Sequence, residues 1–80
     1  MYTYKTSGTC ARQINFDIDS EGLVRNVSFV GGCNGNLKAI GILVDGMKAE
    51  KVIELLEGNQ CGGRPTSCAD QLTKALKERL

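Results

Sequence analysis

The sequence predicts an α+β domain over residues 1–80, a three-stranded antiparallel meander followed by three helices packed on one sheet face. Three observations carry this. Ile14, Phe16 and Ile18 alternate with Asn15, Asp17 and Asp19, the period of two of a half-buried strand. From Leu37 onward the apolar residues recur instead at helical spacing. Ser67 followed three residues later by Asp70 marks the start of a last helix.

In order, Tyr2 to Thr6 alternate aromatic and polar residues and predict a first strand, which Ser7-Gly8-Thr9 ends just before Cys10. The second strand carries Ile14, Phe16 and Ile18. Asp19-Ser20-Glu21-Gly22 then turns the chain into a third strand, Leu23 to Val30, with Val27 and Phe29 on one face. Short turns make these strands antiparallel neighbours. Gly31-Gly32-Cys33-Asn34-Gly35-Asn36 sets three glycines around one cysteine, which suits a sharp turn or a close backbone approach. Leu37, Ile40 and Val44 form the stripe of a first helix flanked by Leu43 and Met47, with Gly41 inside it permitting close packing. After Asp45-Gly46, a second helix buries Ala49, Val52, Ile53 and Leu56 and ends at Gly58, a natural residue to follow a helix. In the last helix, a Ser67/Asp70 capping box leads into a buried side of Ala69, Leu72, Leu76 and Leu80.

The composition narrows the function. Ten Lys and Arg against nine Asp and Glu leave a net charge of +1, without the basic excess on which nucleic-acid affinity depends. The chain has no apolar run of about 18 residues and no signal-peptide-like start, so no membrane partner and a cytoplasmic location are expected. A domain of 80 residues has a thin core, which a metal, a disulfide or a homodimer partner would complete. Without histidine there is no Ser-His or Cys-His nucleophile. Asp17 and Asp19 could hold a cation, but a solvated strand face explains them more simply.

The chemistry therefore rests on four cysteines, Cys10, Cys33, Cys61 and Cys68. In a reducing compartment such a set points to metal ligation or thiol redox work rather than to stable disulfides, with plain buried thiols as the bland alternative. Cys68, first in a helix capped by Ser67, sits near free amides that stabilise a thiolate. Cys61 and Cys68 do not form a C-x-x-C pair, which removes the zinc-ribbon knuckle and the thioredoxin motif. The four cysteines come from separate connections, and if these converge they make a tetrahedral thiolate site suited to zinc or an iron–sulfur cluster.

Pro65-Thr66-Ser67-Cys68-Ala69-Asp70-Gln71-Leu72, with Cys61 seven residues ahead of Cys68, resembles the TSCPD domain, a small family named for its Thr-Ser-Cys-Pro-Asp string. Cys10, the Gly32 to Leu37 stretch and the Gly46 to Gly58 helix extend the likeness over the chain. Ala69 replaces the proline of the string and Arg64-Pro65 precedes the threonine, departures that bear on loop geometry and leave the cysteine, cap and aspartate in place. The resemblance implies metal ligation by Cys10, Cys33, Cys61 and Cys68. It also implies an association with adenosylcobalamin-dependent ribonucleotide reductases, which carry such a domain near their C-terminus. An 80-residue chain cannot itself hold a cobalamin site and a substrate barrel, so cobalamin would enter only through a larger reductase-like partner and no catalysis is expected of the chain alone. A looser likeness, strands and then a glycine-flanked cysteine opening a helix, is similar to iron–sulfur scaffold proteins that use three cysteines and an aspartate. Three readings stay open: a thiolate metal site, a thiol–disulfide relay through Cys61 and Cys68, and an interaction module completed by a homodimer.

Overall fold

The computed structural model of the protein describes residues 2–9, 11–32, 34–60, 63 and 65–80. Three strands, β1 (Tyr2–Lys5), β2 (Ala11–Ile18) and β3 (Val24–Gly31), form an antiparallel sheet in the order β1-β2-β3. Three helices follow, α1 (Asn34–Val44), α2 (Ala49–Leu56) and α3 (Cys68–Lys77). The predicted α+β meander-and-helices order is the one observed. Among the described residues no helix is long and apolar enough to cross a membrane.

Strict alternation holds only in the middle of β2. Between Ala11 and Gln13 the register against β3 slips by one residue, so Ala11 and Ile14 are both buried although three positions apart. A second slip falls on β3 at Asn26, whose φ of 55° is left-handed, and it leaves Val24 and Val27 on the inner face together. Each bulge adds one residue to one strand and re-aims the side chains beyond it. Asn26 is held there from both sides: its N–H donates to Asp45 Oδ1 and its side-chain amide to Asp17 Oδ2.

Ile14, Phe16 and Val24 meet Val44, Ala49, Val52, Leu72, Ala75 and Leu76 in one core. Helix α1 lies so close to β3 that a β-carbon at Gly41 would sit 2.8 Å from the Val27 carbonyl oxygen, which is the packing role the sequence suggests for this glycine. The α1–α2 connection is tied to the start of β3 by Val24 N–H to Met47 O and Gly46 N–H to Val24 O. Helices α2 and α3 pack together and are joined at their ends by the Lys77–Glu57 ion pair.

One residue expected on a buried face is exposed. Leu80 is 62% exposed, because α3 ends at Lys77 and the final residues leave the helix face. Leu43, flanking the Leu37–Val44 stripe, is 74% exposed and stands beside Ile42 on the outer side of α1. The strand limits also move slightly, β1 closing at Lys5 and β3 running from Val24 to Gly31.

Candidate functional site

Of the four predicted ligands, Cys68 alone lies among the described residues; Cys10, Cys33 and Cys61 lie outside them. Cys68 is a free thiol, partly exposed, and as expected it is the first residue of α3 behind the cap Ser67. Ser67 has extended backbone angles, and its hydroxyl accepts from the Asp70 N–H at 3.0 Å. Among the described residues no three of Cys, Asp and Glu gather as a metal-holding group.

The described neighbours of all four cysteines nevertheless share one end of the sheet. Ala11 pairs with Gly31, so the entry to β2 and the exit from β3 are adjacent. Thr6 and Thr9 both donate their hydroxyls to the Ala11 carbonyl, folding residues 6–9 over that entry. Gly32, with φ 82°, packs where a β-carbon would come within 3.1 Å of the Ala11 nitrogen and 2.8 Å of Leu37 Cδ1. This is the close approach that the glycine run predicts. Gly8, with φ 72°, faces the loop before α3, a β-carbon there falling 3.2 Å from Thr66 Cγ2. Asn59 closes the circle by donating its amide to Ser67 Oγ at 3.1 Å.

Beneath these loops lies a buried polar patch of Thr66, Ser67, Asp70, Gln71 and Thr73. Ser7 N–H donates to Gln71 Oε1 at 3.2 Å; Gln71 Nε2 donates to Thr66 Oγ1 at 3.1 Å; the Thr66 hydroxyl donates to Asp70 Oδ2. Asp70 Oδ1 takes the Gly58 N–H at 2.7 Å. The capping box is therefore half made: Ser67 caps, but the Asp70 carboxylate turns away from the Ser67 N–H to the end of α2. Its two donors there are a hydroxyl buried beside it and an amide just past a helix end, and both favour the charged form. The Thr66 hydroxyl first and the Gly58 N–H next hold the Asp70 carboxyl below the usual carboxylate range; burial opposes them and nearby Lys74 assists. Among the described residues no buried side-chain nitrogen or oxygen lacks a partner.

The model of the TSCPD domain matches residues 2–80. The chain belongs to the TSCPD domain family. No curated protein and no solved structure matches it. The Thr66, Ser67 and Asp70 of its TSCPD string have distinct structural tasks, respectively donating to the aspartate, capping the helix and anchoring the end of α2.

Two further aspartates lie away from this end. Asp45 accepts from Arg25 at 3.3 Å and from the Asn26 N–H, at the end of the sheet opposite Ala11 and Gly31. Asp19 accepts the Glu21 and Leu23 N–H groups and pairs with Arg25 at 3.2 Å, which fixes the β2–β3 turn. Gln71 joins the Thr66 and Asp70 end of the molecule, its side chain accepting from the Ser7 N–H and donating to Thr66. Its signal in the sequence is a polar side chain between Asp70 and Leu72 on a helix that buries both.

Proposed function

We propose that this TSCPD domain binds one thiophilic metal ion, zinc foremost, through the thiolates of Cys10, Cys33, Cys61 and Cys68. The observation that carries the reading is the meeting of the segments beside all four cysteines at one end of the sheet. The donor set fits a closed thiolate site, since the chain has no histidine and both oxygens of nearby Asp70 already accept hydrogen bonds. A zinc ion held there would supply folding free energy and no redox chemistry.

In this reading the domain is an accessory to a larger enzyme of the ribonucleotide-reductase type, which brings its own cobalamin; the support is the likeness in the Thr66–Asp70 string. The thiol relay keeps one observation in its favour, the Asn59–Ser67 hydrogen bond, which draws together the two arms that carry Cys61 and Cys68. The test is metal and labile-sulfide content of protein purified without oxygen, with thiols counted in the same sample. One zinc per chain with protected thiols is the expected result, and iron with sulfide moves the assignment to a cluster. No metal, together with a reversible Cys61–Cys68 disulfide, overturns it in favour of the relay.

A further inference from the structure

We infer that Gln71, Thr66 and Asp70 are positioning residues, a hydrogen-bonded relay that sets three of the four cysteine-bearing segments in place before any metal arrives. The inference rests on the metal-binding reading above and adds to it which residues shape the site. The relay runs in one direction. Ser7 N–H, three residues before Cys10, donates to Gln71; Gln71 donates to Thr66; and Thr66, two residues before Cys68, donates to Asp70. From the other side the Gly58 N–H, three residues before Cys61, donates to the same carboxylate. A single carboxylate thus terminates two donor paths that reach the Cys10, Cys61 and Cys68 segments.

Three features give this patch a positioning task rather than a ligating one. The members are buried, with Gln71 at 2%, Asp70 at 5% and Thr66 at 7% exposure, so their polar groups have no water to exchange with. Every oxygen and nitrogen the relay uses is already paired within the protein. The side chains also come from the first turn of α3 and the two residues before it, so they move with Cys68 as one rigid element. Outer partners of this kind fix ligand orientation, and their loss typically lowers metal affinity about 10–100-fold.

The experiment uses the full chain with cobalt(II) as the probe. Thr66→Val keeps the shape and removes the hydroxyl, Thr66→Ser restores it, and Val52→Ala is a core substitution that removes none of the relay's hydrogen bonds. In the metal-free protein, amide exchange at Ser7 and Gly58 is expected to be about tenfold faster in Thr66→Val than in wild type. Cobalt affinity, followed through thiolate charge-transfer absorption, is expected to fall about 10–100-fold in Thr66→Val, to return in Thr66→Ser, and to be unchanged in Val52→Ala. Should Thr66→Val not fold, Gln71→Glu, which keeps the acceptor for Ser7 and loses the donor to Thr66, takes its place with the same expectations. Unchanged exchange and affinity in the hydroxyl-free variant overturn the inference, as does an equal affinity loss in Val52→Ala. Wild-type protein that fails to take up cobalt defeats the metal reading itself, whereas normal uptake with an indifferent Thr66→Val defeats only the relay.

Discussion

Replacing Asp70 removes the point where the α2 end and the α3 entry are fastened together. Its carboxylate accepts one hydrogen bond from Gly58 N–H and one from the Thr66 hydroxyl, while its own N–H stays with Ser67 in any variant. Hydrogen bonds to a charged acceptor contribute about 1.5–3 kcal/mol each. Gly58 is exposed and its freed N–H finds water, but Thr66 is buried and keeps an unmet donor. Asp70→Ala should therefore cost about 3 kcal/mol, toward the lower end of the summed pair. In a domain of this size that is a fall in Tm of about 12–24 °C. Asp70→Asn retains an acceptor for Gly58 and presents an amide donor to Thr66, so about half the loss is expected. Urea unfolding followed by far-UV circular dichroism, at one fixed metal state for all variants, reads both. An Asp70→Ala midpoint equivalent to less than about 0.5 kcal/mol from wild type, the range of an ordinary surface change, would mean that the carboxylate does not fasten α2 to α3.

Gly41→Ala sets two effects against each other: alanine gains about 1 kcal/mol of helix propensity, but its β-carbon would lie 2.8 Å from the backbone oxygen of Val27. Backbone cannot swing aside like a side-chain tip, so a net loss of about 1–2 kcal/mol is expected in urea unfolding, and a stabilised variant would show α1 free to slide. Ser67→Ala removes the cap of α3 and the acceptor of the Asn59 amide, and should cost about 1–2 kcal/mol in the same measurement. The Asp19 carboxyl is held below its ordinary range by the Leu23 N–H first, with the Glu21 N–H and Arg25 adding and burial opposing. The shift is downward, so its contribution is complete above the unfolded carboxylate pKa and is lost as pH falls through the lower native value. Wild type should accordingly lose more stability than Asp19→Asn between neutral and acid pH, and parallel acid profiles would count against the turn role.

Much of the fold could be read from local pattern because local chemistry decides it. The Ile14–Phe16–Ile18 alternation and the Ala49–Val52–Ile53–Leu56 face each follow from one periodicity, and Ser67 announces its helix with a single hydroxyl. The bulges at Ala11–Gln13 and at Asn26 could not be read, since a bulge belongs to the pairing of two strands. Leu80 fits the helical stripe but stands past Lys77, where the helix has already ended. The site shows the same division. Cys68 behind its cap is a matter of sequence neighbours, whereas the partner of Asp70 is Gly58, twelve residues away and brought near only by the packing of α2 on α3. Gln71 is a still longer reach, since its amide meets Ser7 across most of the chain.

Four thiolates from four segments holding one metal ion is the arrangement proposed for this domain. Zinc stoichiometry and competition affinity, measured on wild type and on the four single variants Cys10→Ser, Cys33→Ser, Cys61→Ser and Cys68→Ser, test it most directly. One zinc per wild-type chain is expected, with a loss of affinity of more than about 100-fold in every variant, beyond the roughly 10–100-fold that losing an outer partner produces. Any one of the four binding zinc as wild type does would contradict it.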